Sequence, residues 1–263
     1  MLLKLISCNV FQREASWCIA RSPHVIDPEY TELGEHVRSA GLRELLQGRI
    51  DATEASGKAY AAILLLFGLC GNATAGLRAR RTRLVIPRAH DCCTILLGSR
   101  ARFTENFGQD PSTPFSSAGY LERGDYFLRT SEDGTATVQT GDAYQALVAK
   151  YGEEDAKYIW AEMHPDHGND QAVFIDLPQT SHLGLAEQFE AKAKAAGKRP
   201  VRLAGDIRLV EGLLQGNWDE KEYLIVPPGS AIEGVYDWDQ VIRAKAASSC
   251  PGELPDTTRL PKK

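Results

Sequence analysis

The sequence predicts an α/β fold of two similar Rossmann-like lobes with parallel sheets, a duplicated half, and an inter-lobe cleft. Three observations carry that expectation. Short, wholly apolar runs alternate with stretches of helical spacing, the pattern of strands joined by crossover helices. The runs lack polar alternation, as strands buried on both faces do. A short text also recurs: Leu45-Leu46-Gln47-Gly48, then Asp51 and a run holding Tyr60 and Ile63, is echoed by Leu213-Leu214-Gln215-Gly216, then Asp219 and a run holding Tyr223 and Ile225. A repeated unit of this kind points to duplication.

Taken in order, residues 2–7 read as a first parallel strand and 11–21 as a helix, with Phe11, Trp17, Cys18 and Ile19 spaced to share a face. Residues 37–50 read as a second helix with Leu42, Leu45 and Leu46 on one side, stopped near Gly48. Residues 61–67, ended by Gly68, and 84–86, ended by Pro87, read as buried strands. The text then turns to Ser, Thr, Gly and Asp with Pro111 and Pro114, so 104–142 reads as an irregular insertion with a hairpin near Asp133-Gly134. Beyond it lie a helix (144–160), a strand (173–176), a helix (183–196) and a strand (223–226). The resulting organisation is a first lobe over 1–103, the insertion over 104–142, a second lobe over 143–247, and a flexible tail over 248–263.

Bulk composition excludes some functions. A net charge of -5 does not suit general nucleic-acid binding, which needs many cations to neutralise phosphates. The longest apolar run, 59–69, falls short of the roughly 20 residues that span a bilayer, so no membrane partner is expected. Met1 leads into the first apolar run without a basic stretch or cleavage site, which argues for a cytoplasmic protein. In that compartment six cysteines form no disulfide framework and are free to bind metal or react.

The candidate site follows from where ligands bind in open parallel sheets, just beyond the carboxyl ends of the strands. After the first strand comes Cys8. After 61–67 comes Gly68-Leu69-Cys70-Gly71-Asn72, and after 84–86 comes Arg88-Ala89-His90-Asp91-Cys92-Cys93. Three strand ends each deliver a thiol, and one adds an imidazole. If the strands are neighbours, Cys8, Cys70, His90 and Cys92 converge. Three Cys and one His form an accepted tetrahedral zinc set; iron or an iron–sulfur cluster would also suit it. A catalytic thiol without metal, or plain packing of small apolar side chains, fits the same residues. Asp91 would orient His90 or carry a proton, and Arg88 would hold an anionic group of a small-molecule substrate. Gly68, Gly71 and Asn72 would form an anion-binding cofactor turn leading into a helix over 74–80. That turn matches neither the dinucleotide fingerprint nor the P-loop.

Weaker signals have plainer readings. Arg78, Arg80, Arg81 and Arg83 suit a solvated basic face, and His164-x-x-His167 a solvated loop. Cys18 fits the core. Cys93 adjoins Cys92, and only one of the two should face the site.

The segments Phe67-Gly68-Leu69-Cys70-Gly71-Asn72, Leu84-Val85-Ile86-Pro87-Arg88-Ala89-His90-Asp91-Cys92 with Leu96-Leu97-Gly98-Ser99, and Val226-Pro227-Pro228-Gly229, together with the opening Ile6-Ser7-Cys8, resemble the family called domain of unknown function 1638. The resemblance spans about residues 2–242. It implies a context, since such proteins occur in bacteria and methanogenic archaea, often encoded beside corrinoid-dependent methyltransferases. A zinc- or iron-dependent enzyme of corrinoid-linked one-carbon (methyl) transfer is therefore expected. The alternative is a non-catalytic accessory or binding protein for a corrinoid protein or methyltransferase.

Overall fold

The computed structural model describes residues 1–32, 39–109, 113–123, 148, 152–153, 156, 171–235, 237 and 239–246. Its first sheet has five strands: β1 (Leu2–Cys8), β2 (Val25–Thr31), β3 (Ala62–Leu66), β4 (Leu84–Pro87) and β8 (Tyr223–Val226), in the order β2-β1-β3-β4-β8. Strands β2, β1, β3 and β4 run parallel, and β8 runs antiparallel to β4. Every residue of β3 is buried, as a central strand covered on both faces requires.

Helices cover this sheet through apolar stripes. Helix α2 (Ser39–Ala55) buries Leu42, Leu46, Ile50 and Thr53, a three-to-four spacing that keeps one face inward. The helix runs through Gly48, where a stop was expected. A Cβ there would meet open space, and the stripe beyond it outweighs the glycine's cost of about 1 kcal/mol. Helix α1 (Gln12–Ile19) follows a 3-10 turn over Asn9–Phe11. Further helices are α3 (Cys92–Leu97), α4 (Arg100–Phe107), α5 (Ala118–Arg123), α6 (Leu185–Ala195) and α7 (Arg208–Gln215).

A second, three-stranded parallel sheet joins β5 (Phe115–Ser116), β6 (Gln171–Asp176) and β7 (Arg199–Ala204) in the order β5-β6-β7. Alternation along β6 serves two neighbours. Val173 and Ile175, with Leu177 just beyond, join the core of the first sheet. Ala172 and Phe174 pack with Ala186, Phe189 and Ala193 of α6. A hairpin of β9 (Ser230–Gly234) and β10 (Ile242–Ala246) completes the described fold.

Parallel sheets in a mixed α/β architecture are therefore present. The expected duplicated lobes and the cleft between them are not borne out. The first copy of the repeated text lies inside α2. The second ends α7, where Gly216 takes a left-handed C-cap with φ 79°. The strands that follow, β3 and β8, belong to one sheet and run in opposite senses. One continuous core holds residues of both sheets. The insertion hairpin near Asp133 and the tail over 248–263 lie outside the described residues, as does nearly all of the helix expected over 144–160. Among the described residues no helix is long and apolar enough to cross a membrane.

Candidate functional site

Strands β1, β3 and β4 are adjacent and parallel, so their carboxyl ends share one edge. The chain leaves that edge at Cys8, at Leu69-Cys70 and at His90-Asp91-Cys92. The last two exits are knitted together. Leu69 N–H donates to Ala89 O at 2.8 Å, and Cys70 N–H donates to His90 O at 2.9 Å. Gly68 makes this approach possible, because a Cβ there would stand 2.6 Å from the Asp91 Cα and N atoms. Cys70, Gly71 and Asn72 then take φ values of 48°, 59° and 67°. Two of these three left-handed residues carry a Cβ, which is a strained arrangement. The Thr74 hydroxyl, donating to Gly68 O at 3.1 Å, closes the turn from inside.

One phenol that sequence reasoning missed, that of Tyr120, lies near all three thiols. The Cys92 thiol hydrogen-bonds Cys70, the Tyr120 hydroxyl hydrogen-bonds Cys92, and Tyr120 lies within electrostatic reach of Cys8, Cys70 and Cys92. Cys8 and Cys92 are buried, while Cys70 is half-buried. The hydrogen bond to Cys70, reinforced by burial, pushes the Cys92 thiol well above the ordinary range. Burial and then the neighbouring sulfurs push Tyr120 up as well. Both shifts favour the protonated forms of Cys92 and Tyr120.

Tyr120 arrives on α5, in a stretch that reads as irregular. Gly119 lets α5 lie directly on the turn that follows Cys8, since a Cβ at Gly119 would stand 1.8 Å from Val10 O. A chain of rings backs the phenol. Tyr120 meets Phe115 edge-on at 5.4 Å, Phe115 meets Phe107 at 6.4 Å, and Phe107 stacks on Phe103 at 5.5 Å. His90 ends this wall, its ring 6.1 Å from that of Phe103.

Other expected site residues hold structural posts. Asp91 caps α3: its Oδ1 accepts from Thr94 N–H at 2.9 Å and from the Thr94 hydroxyl at 3.1 Å. Burial pushes its carboxyl upward. Asp91→Ala should cost about 1 kcal/mol in urea unfolding; an unchanged midpoint would show that the cap contributes nothing. Arg88 donates to Glu220 O at 2.8 Å, Gln240 O at 2.9 Å and Ile242 O, fastening the C-terminal segments to β4. The anion turn over Gly68, Gly71 and Asn72 lacks the helix it needed. Residues 74–80 form turns instead and pair with β9, through Gly76 N–H to Ile232 O at 2.7 Å and Ala79 N–H to Ser230 O at 2.9 Å. Arg80 and Arg81 of the basic run pair with Asp51 and Glu54 of α2, and Arg83 lies over the Trp218 ring. Cys18 and Cys93 are core residues. His164 and His167 lie outside the described residues.

Among the described residues no three His, Cys, Asp or Glu side chains are grouped so as to hold a metal ion as they stand. The thiols are neighbours, but they are not arranged as a coordination shell. An open groove of about 740 Å³ runs between α1, α5 and the loop after β6, with Arg13, Trp17, Glu122 and Gln179 in its walls. Its lining residues belong to the segments that follow β1, β5 and β6 in the chain.

Comparison with known families finds a match over residues 30–214 to the model described as "Protein of unknown function (DUF1638)". No curated protein and no solved structure matches the chain.

Proposed function

The chain belongs to the DUF1638 family, whose description gives no activity, and from its residues we propose that Cys8, Cys70 and Cys92 take up a soft metal ion, zinc or iron, with His90 as fourth donor. The observation that supports this reading is that Cys8, Cys70 and Cys92 follow three adjacent strand ends and all lie within electrostatic reach of the Tyr120 phenol. Sulfur-rich sets of this composition favour zinc or iron over hard cations. To hold such an ion the thiols would have to give up their protons, and Cys70 and Cys92 would turn from each other to the ion.

When bound, the ion would supply Lewis acidity. The chain's own contributions are the Tyr120 hydroxyl, which steadies charge on the Cys92 sulfur, and the aromatic wall from Phe103 to Tyr120, which limits water. Half-buried Cys70 marks the accessible side. The substrate class proposed is a one-carbon donor or acceptor in corrinoid-linked methyl transfer; it rests on family context and on the suitability of metal thiolates for activating thiols.

Elemental analysis of anaerobically purified chain tests the metal. Stoichiometric zinc or iron is expected in the wild type, with loss in Cys70→Ala and Cys92→Ala and weaker retention in His90→Ala. Equal metal in wild type and both cysteine variants would refute the assignment. Spectroscopy of a cobalt-substituted chain then separates an enzyme from an accessory protein, because a catalytic site keeps a coordination position for solvent or substrate and a structural one is closed by four protein ligands.

A further inference from the structure

We infer that Cys70 and Cys92 form a dithiol pair that closes reversibly to a disulfide, Cys70 meeting the external disulfide and Cys92 resolving it. The two residues stand on loops already joined backbone to backbone by the Leu69–Ala89 and Cys70–His90 hydrogen bonds. Cys70 is near enough to Cys92 to raise its pKa, and the backbone pairing holds the two loops side by side. The pair is also asymmetric. Cys70 is half-buried beside exposed Gly71 and Asn72, whereas Cys92 is buried at the start of α3 under Tyr120. An accessible attacking thiol in contact with a shielded resolving thiol is what thiol–disulfide exchange requires. Cys8 and Cys93 are fully buried and out of reach of an external reagent.

The oxidant is a small disulfide of the glutathione-disulfide class. The Cys70 sulfur attacks one sulfur of that reagent, a mixed disulfide forms, and the first small thiol leaves with the Cys70 proton. The Cys92 sulfur then attacks Cys70, the protein disulfide forms, and the second small thiol leaves with the Cys92 proton. Two protein thiols are oxidised and one small disulfide is reduced to two thiols. The Tyr120 hydroxyl, bonded to the Cys92 sulfur, favours that sulfur as the leaving group when the bridge is reduced. Closure would withdraw two of the three proposed sulfur donors, making the site redox-gated. That consequence rests on the metal reading, whereas the disulfide itself does not.

The test uses the full chain, reduced, stripped of metal with a chelator and treated anaerobically with glutathione disulfide. Intact mass should fall by two hydrogens, and peptide mapping should join the Cys70 peptide to the Cys92 peptide. Cys92→Ser should stall with glutathione held on Cys70, and Cys70→Ser should leave Cys92 unmodified. An unchanged wild-type mass, a persistent glutathione adduct on it, or a bridge to any other cysteine would overturn the inference, and mapping of the wild type needs no variant to fold. Metal content of the unstripped chain is read in parallel. A chain that cross-links without ever having held metal overturns only the metal reading; one that holds metal and fails to cross-link after stripping overturns only this one.

Discussion

Above pH ~8, Glu14→Gln should make the chain more stable to urea by about 3 kcal/mol, and near pH ~4 the two chains should unfold together. Glu14 lies in α1 at 1 % exposure. Among the described residues neither of its carboxylate oxygens has a hydrogen-bond partner. Burial pushes its pKa from 4.5 to about 7, and Glu122 of α5 adds to the rise. The residue's own backbone N–H opposes the rise most, and Arg13 only weakly, because that guanidinium is engaged with both Glu122 oxygens at 2.8 Å. The Glu14 charge is felt in turn by Tyr30 and Cys18, which face it from β2 and from its own helix. The sign follows from the direction of the shift. A carboxyl whose folded value lies above its unfolded value stabilises the fold most while protonated in both states. Stability then falls as pH rises past 4.5, and the loss is complete above about 7. Glutamine keeps the neutral shape and removes the ionisation, so its advantage should grow over that window. A difference between the two chains that does not vary with pH would mean that Glu14 is not held in the environment described.

The strands that were legible in the sequence are those the sheets bury. β3 and β4 are uninterrupted apolar runs because both faces are covered, and β6 and β8 were placed for the same reason. β2 and β7 escaped notice. Each carries a proline, Pro28 and Pro200, and each lies at a sheet edge, where an N–H can be missing and half the residues face water. The repeated Leu-Leu-Gln-Gly misled because short helical texts recur whenever an apolar stripe meets a glycine; only tertiary context makes Gly48 a helix interior and Gly216 a cap. For the site, Cys8, Cys70 and Cys92 were readable because parallel strands present their functional groups at the carboxyl edge. Their meeting was conditional on the neighbour order β1-β3-β4, which no local pattern encodes. Tyr120 was not readable at all. It reaches the thiols by way of a two-residue strand and a six-residue helix, both too short for any periodicity. The signal that could have drawn attention to it is Gly119, a small residue set beside an aromatic one.

Gly119→Ala tests that placement, and the sign of its effect is informative. In an ordinary helix the substitution stabilises by up to about 1 kcal/mol. Here the new methyl would stand 1.8 Å from Val10 O and 2.7 Å from Val10 C, and these are backbone atoms of the buried turn that follows Cys8. Neither partner can swing aside as a side-chain tip would, so α5 must lift. A loss of about 2 kcal/mol is expected, within the range for overpacked contacts, measured as a lower urea midpoint at unchanged slope. Lifting α5 also draws the Tyr120 hydroxyl away from Cys92. Tyr120→Phe removes that hydroxyl without moving the helix, so its effect on Cys92 should largely vanish in the Gly119→Ala background. Alkylation of Cys92 should be slower in Tyr120→Phe than in the wild type, because the hydroxyl that favours its thiolate is gone, and Tyr120→Phe should slow it little further in the Gly119→Ala background. Fully additive effects would show that the glycine and the phenol act independently, and stabilisation by Gly119→Ala would show that α5 does not rest on Val10. If the loss and the coupling are both observed, the contact that seats α5 is also the contact that sets the chemistry of the thiols, and fold and site share one close approach of backbone to backbone.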